Sequence, residues 1–188
     1  MQSVFFEKDL SLVDKVTVEQ NSCTIKMLVM DVDGTLTDGA LVYGTNDTES
    51  KMFSVKDGLI LKILSRFNIE LVFLTGRKSE VVSRRAADID AVAVQGIDDK
   101  VSALKALFTE RNMEPGQCAY IGDDLNDYAA MKLCGFKACP NDAVTEIREL
   151  SDYVSPYSGG HGAVRDICEH ILRREGIFDK LLEYYGIV

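Results

Sequence analysis

Five short runs rich in valine, isoleucine and leucine limit what this chain can become: Met27 to Val32, Glu70 to Thr75, Ala91 to Gln95, Cys118 to Gly122 and Phe136 to Cys139. Their apolarity is continuous rather than alternating, so each is expected to be a strand buried on both faces, the habit of a parallel sheet. Segments of helical period lie between and after them, at Gly58 to Phe67, Ser79 to Ala87, Lys100 to Asn112, Asn126 to Cys134 and Ala143 to Leu150. A chain alternating in this way is predicted to form a doubly wound, Rossmann-like α/β fold with helices on both faces of a parallel sheet.

At 188 residues the chain suits one well-buried domain. Residues 1–25 have weak periodicity and mixed charge and read as an N-terminal extension; residues 26–188 read as the domain, with a tail from about residue 175. One segment breaks the rhythm. Between Gly39 and Val55, Leu41-Val42-Tyr43 and Lys51-Met52-Phe53 flank the turn formers Gly44-Thr45-Asn46-Asp47, which predicts a projecting β-hairpin. Further on come a glycine loop, Gly159-Gly160-His161-Gly162, then a helix over Ala163 to Arg174 and an amphipathic stretch from Phe178 to Tyr185.

In an open parallel sheet, ligands bind beyond the carboxyl ends of the strands. Four of the five ends carry chemistry: Asp31 and Asp33 after the first, Thr75-Gly76-Arg77 after the second, Lys100 shortly after the third, and Gly122-Asp123-Asp124-Leu125-Asn126-Asp127 after the fourth. Alone, each is ordinary: a lysine opening a solvated helix, or acidic residues at a helix start. Together they can hold a phosphoryl group. Asp31, nearest its strand, is assigned as nucleophile, dividing hydrolysis into two easier steps. Asp33, spaced to reach the same pocket, is assigned as general acid/base. Hard oxygen ligands suit Mg²⁺, with Asp31, the backbone carbonyl of Asp33 and Asp123 as its ligands and Asp127 and Asp124 supporting them. Lys100 and the Thr75 hydroxyl counter the equatorial phosphoryl charge.

Composition restricts the partners. A net charge of −9 argues against nonspecific binding to nucleic acid or an anionic membrane. The acidic N-terminus is unlike a secretory signal, and no apolar run is long enough to span a bilayer, so a cytoplasmic location is expected. Five cysteines, with no C-x-x-C pair, suggest reduced core thiols rather than a disulfide framework or a zinc site. His170 reads as a solvated helix residue; His161 has no assignment.

With these residues placed, the chain resembles the haloacid dehalogenase superfamily, whose four motifs match Asp31/Asp33, Thr75, Lys100 and Asp123/Asp127. Longer stretches, Asp31-Val-Asp-Gly-Thr-Leu-Thr-Asp-Gly39, Lys51-Met-Phe-Ser-Val-Lys-Asp-Gly58, Leu74-Thr-Gly-Arg77, Ala119-Tyr-Ile-Gly-Asp-Asp-Leu125 and Gly159-Gly-His-Gly-Ala-Val-Arg165, resemble the 3-deoxy-D-manno-octulosonate 8-phosphate phosphatase family. The resemblance implies a capless, Mg²⁺-dependent phosphatase of a 2-keto-3-deoxy sugar acid phosphate, assembled as a homotetramer. It also implies substrate contacts from Thr35, Gly76, Arg77, Lys51, Lys56, Asp57, Gly58 and Arg165. Lys56 stands where the family usually has arginine and lacks its bidentate fork; Arg77 favours the octulosonate over the related nonulosonate 9-phosphates. An acylneuraminate 9-phosphate phosphatase and a non-catalytic phosphate-binding subunit are the competing readings. With no separate lid domain, the hairpin is expected to pack subunits together and a neighbour's Gly159-Gly160 and Arg165 to help cover the pocket.

Overall fold

The computed structural model describes residues 24–45 and 48–188, so the N-terminal extension, Cys23 and two residues of the hairpin turn lie outside the described residues. A six-stranded sheet forms the centre: β1 (Met27–Met30), β4 (Glu70–Thr75), β5 (Val92–Gln95), β6 (Cys118–Ile121), β7 (Phe136–Cys139) and β8 (Tyr153–Val154), in the order β5-β4-β1-β6-β7-β8. Every neighbouring pair is parallel. The chain runs outward from β1 through β4 to β5, then returns to β1's other edge with β6. Strand order therefore reverses at β1, where a crevice opens beyond the strand ends.

Alternation along the central strands divides the core in two. Leu28, Met30, Leu71, Phe73, Ala119 and Ile121 face one side. There they pack against α1 (Val55–Leu64), α2 (Glu80–Asp88) and α6 (Ala163–Arg174). Met27, Val29, Val72, Leu74, Cys118 and Tyr120 face the other. That side is covered by α3 (Lys100–Glu110), α4 (Leu125–Met131) and α5 (Thr145–Leu150). The doubly wound reading holds. Parity also positions the chemistry, because Asp31 shares the register of Met27 and Val29 and so faces α3 and α4.

Local chemistry moved some boundaries. Helix α1 starts at Val55 rather than Gly58, because the Ser54 hydroxyl accepts from the Asp57 amide at 3.2 Å and caps the helix there. The hairpin exists, but its second strand is β3 (Glu49–Ser50) rather than Lys51 to Phe53. Its partner is β2 (Val42–Tyr43). Gly44 donates to the Thr48 carbonyl at 2.8 Å, a closure that sets Tyr43 opposite Glu49. Strand β8, not anticipated, is two residues on the sheet edge, too short to show a pattern. His170 is not a solvated residue. It stacks on Tyr153, with ring centroids 3.9 Å apart, and lies 5.9 Å from Phe136, because its face of α6 packs over the β7–β8 edge. Helix α7 (Phe178–Tyr184) completes the described chain. The four described cysteines are free and buried, and among the described residues no helix is long and apolar enough to cross a membrane.

Candidate active site

Strand β1 ends at Met30 and delivers Asp31 into the crevice, 5 % exposed, its amide donating to the Ile121 carbonyl of β6 at 2.9 Å. Extension stops soon after. The Val32 carbonyl accepts from both Leu36 and Thr37 at 3.0 Å, so Asp33 lies in a turn rather than on a continued strand, and its carboxylate meets the hairpin instead of α3. Gly34 makes that turn possible twice over: its φ is +100°, and any side chain there would overlap the Asp123 carboxylate.

Lys100 begins α3, which Asp99 caps by accepting from the Ser102 amide at 3.0 Å. Its buried ammonium donates to Asp31 Oδ1 at 2.5 Å and to Asp127 Oδ1 at 2.7 Å. Helix α4 begins one residue after Asp124, whose carboxylate caps it and stays exposed. Asp127 lies fully buried in the first turn of α4. Its Oδ1 also accepts from the Tyr120 hydroxyl at 2.8 Å, and its Oδ2 accepts from the Asp123 amide at 3.2 Å. Asp123 is held from the other side by the Thr35 hydroxyl, which donates to Oδ1 at 2.8 Å.

Three carboxylates share this space with one ammonium. Burial, then the charge of Asp127, pushes the Asp31 carboxyl up to about 7, against the opposing pull of Lys100. Asp123 is pushed up to about 7, chiefly by burial, against the Thr35 hydrogen bond and with help from Asp31 and Asp127. Burial works against the charge on Lys100, yet its two carboxylate partners outweigh it and raise its pKa. The burial of Tyr120 and the nearby Asp127 hold its phenol protonated.

The donor set fits a hard divalent cation. Asp31, Asp123 and Asp127 each offer an oxygen, and all three lie within 4.8 Å of one another. Both oxygens of Asp127 are engaged by Lys100, Tyr120 and backbone amides, so Asp31 and Asp123 have the ligating capacity and Asp127 holds them in place.

The remaining expected site residues fall into separate groups. Thr75 is buried at the end of β4, its hydroxyl accepting from the Arg77 amide at 3.3 Å, while Gly76 is exposed beside it. Lys51 pairs with Asp33 Oδ1, and Arg77 donates to Glu49 at 2.7 Å and to the Tyr43 hydroxyl at 3.3 Å, so both engage the hairpin. Lys56 and Arg165 line a cleft beside α6 with Tyr157 and His161. Asp57 and Gly58 are buried. Asp57 is 1 % exposed, and its Oδ1 accepts from the Arg165 amide at 2.9 Å, tying α1 to the start of α6. Gly58 is buried where a side chain would strike the Arg85 guanidinium. The glycine loop is also placed otherwise than expected. Gly160 donates to the Thr35 carbonyl of its own chain at 3.1 Å, and a Cβ on Gly159 would overlap the Gly34 carbonyl. This loop buttresses its own Asp33 turn, because only glycine allows two backbones to approach so closely.

The profile of haloacid dehalogenase-like hydrolases matches residues 91–167. A curated relative from Salmonella typhi, the 3-deoxy-D-manno-octulosonate 8-phosphate phosphatase, is 37 % identical over 157 residues, spanning 83 % of this chain and 84 % of the relative. The chain belongs to the 3-deoxy-D-manno-octulosonate 8-phosphate phosphatase family. A crystal structure of the family from Moraxella catarrhalis, in complex with magnesium, phosphate and KDO, is 41 % identical with a TM-score of 0.84, covering 89 % of this chain and 97 % of that one. The cobalt-bound phosphatase from Haemophilus influenzae is 36 % identical with a TM-score of 0.79, covering 82 % and 91 %. For a member of this phosphatase family, two groups escaped the sequence. Tyr120 looks like one more apolar strand residue until its hydroxyl is found on Asp127. Glu49 was obscured by the misplaced hairpin strand, although the Glu-x-Lys spacing puts both side chains on one face.

Proposed function

We propose that this chain is a Mg²⁺-dependent phosphatase that converts 3-deoxy-D-manno-octulosonate 8-phosphate to KDO and phosphate through an aspartyl phosphate. The observation that carries it is the union of buried Asp31, Lys100 and Asp127 with half-buried Asp123 at the sheet's reversal point, in a chain 41 % identical to a phosphatase of the same fold holding magnesium, phosphate and KDO.

Bound by Asp31, Asp123 and the carbonyl of Asp33, Mg²⁺ would reduce the repulsion between a carboxylate and an incoming phosphate. Asp31 attacks phosphorus; the P–O bond to the sugar breaks as the Asp31–phosphorus bond forms. Asp33 gives its proton to the departing sugar oxygen, then takes one from the water that attacks the acyl phosphate, restoring Asp31. Lys100 orients Asp31 and, with Thr75, faces the equatorial oxygens. Arg77, on the hairpin side of the site, serves the sugar acid's carboxylate.

The assembly we propose is a cytoplasmic homotetramer. Supporting it, Val42, Tyr43, Met52 and Val55 on and after the hairpin are all more than half exposed, an apolar surface suited to a second copy. The test is kcat/KM with Mg²⁺ over a panel of sugar acid phosphates, alongside light scattering. A preference for a nonulosonate 9-phosphate overturns the substrate, and full activity as a monomer overturns the assembly.

A further inference from the structure

A line of alternating charges runs from the pocket's exposed rim to its proton donor. Arg77, its side chain 43 % exposed, donates to Glu49 Oε2 at 2.7 Å. The other oxygen of Glu49 is buried, has no hydrogen-bond partner, and lies 3.6 Å from the Lys51 ammonium. Lys51, with no side-chain exposure, gives its ammonium to Asp33 Oδ1. A buried carboxylate oxygen left short of a nearby ammonium is a costly arrangement, and one that a small displacement would relieve. Meanwhile Lys51 occupies an oxygen that Asp33 needs for proton exchange with the leaving group.

We propose that Glu49 is a positioning residue that couples capture of the substrate carboxylate at Arg77 to release of Asp33 from Lys51. A carboxylate arriving at Arg77 competes with Glu49 for the guanidinium. Glu49, freed at Oε2, closes on Lys51 and draws the ammonium off Asp33. Asp33 Oδ1 then faces the sugar oxygen. A phosphate ester without the carboxylate leaves Arg77 on Glu49 and Lys51 on Asp33, so discrimination appears in turnover as well as in binding. The alternating side chains of β3 and the residue after it make this possible, since Glu49 and Lys51 share one face of the strand. The inference rests on the phosphatase reading and on Asp33 as the acid/base.

The experiment compares wild type with Glu49→Gln, Glu49→Asp and Arg77→Met on three magnesium-supported substrates: 3-deoxy-D-manno-octulosonate 8-phosphate, mannose 6-phosphate and p-nitrophenyl phosphate. Glu49→Gln keeps the shape but cannot take the ammonium, so kcat on the sugar acid phosphate is expected to fall about tenfold or more. The fall on p-nitrophenyl phosphate, whose leaving group needs no proton, is expected to be about tenfold smaller. Glu49→Asp restores much of the loss. Arg77→Met, lacking the trigger, narrows the kcat gap between the sugar acid phosphate and mannose 6-phosphate. If Glu49→Gln only raises KM, or lowers kcat equally on sugar and aryl esters, Glu49 merely supports binding or structure and the coupling is refuted. A wild type inactive on all three esters overturns both the coupling and the phosphatase reading.

Discussion

Stripping divalent metal with EDTA and raising the pH from about 5.5 to about 8 should destabilise this protein, because the site then holds ionised carboxylates it cannot neutralise. Asp31 and Asp123 are both held up to about 7, against 3.8 for an ordinary aspartate. Between those values the folded state binds more protons than the unfolded state, so stability falls as pH rises: fully retained below about 4, lost progressively and gone above about 7. Each group shifts by roughly 3 units, about 4 kcal/mol over the whole range, of which about 2 kcal/mol falls between pH 5.5 and 8. The two sites interact, so the pair together accounts for roughly 2–4 kcal/mol. The carboxylates with lowered pKa values, Glu49, Asp99 and Asp152, start from 4.5 or below and complete their titration beneath this window. Asp57, also shifted upward by burial, has the same sign. Urea unfolding at the two pH values measures the effect as a lower midpoint with an unchanged m-value. Magnesium, which favours the ionised carboxylates, should flatten or reverse the slope. A metal-free stability that is level or rises from pH 5.5 to 8 would refute the reasoning.

Other perturbations separate chemistry from architecture. Asp31→Asn should lower turnover by about three orders of magnitude or more while circular dichroism keeps the wild-type shape, and retained activity would remove Asp31 as nucleophile. Lys100→Met leaves Asp31 and Asp127 without their shared ammonium and should cost about 3–5 kcal/mol in metal-free protein, read by urea unfolding; the loss should shrink in acid as the carboxylates protonate. Gly159→Ala forces a methyl group against the Gly34 carbonyl and should destabilise by about 1–3 kcal/mol while raising KM, because the loop that buttresses the Asp33 turn must retreat.

The central strands and the order of the chemistry-bearing residues were legible because burial on both faces demands unbroken apolar runs, and because ligands gather beyond the carboxyl ends of parallel strands. From that rule alone, Asp31, Lys100 and Asp123 could be set at one edge of the sheet. Element ends were less legible. The Ser54 cap advances α1 by three residues, and a single turn closure at Gly44 shifts the hairpin strand onto Glu49. These depend on individual side chains and backbone contacts, which periodicity averages out.

What the sequence determined by itself was the fold class, the family, through its motifs, and the meeting of Asp31 with Asp123 and Asp127, since strand parity turns Asp31 toward α3 and α4; it misdirected Asp33, which the turn after Val32 swings to the hairpin. Tertiary structure decided how they are partnered. Thr35 reaches Asp123 across 88 positions and Lys100 reaches Asp31 across 69, so nothing local could show that Thr35 anchors a carboxylate. The same holds for Tyr120 on Asp127, for Asp57 turned inward to α6, and for the glycine loop seated on its own Asp33 turn. Spacing specifies which way a residue points only while the backbone stays regular; packing between distant segments specifies what it meets there.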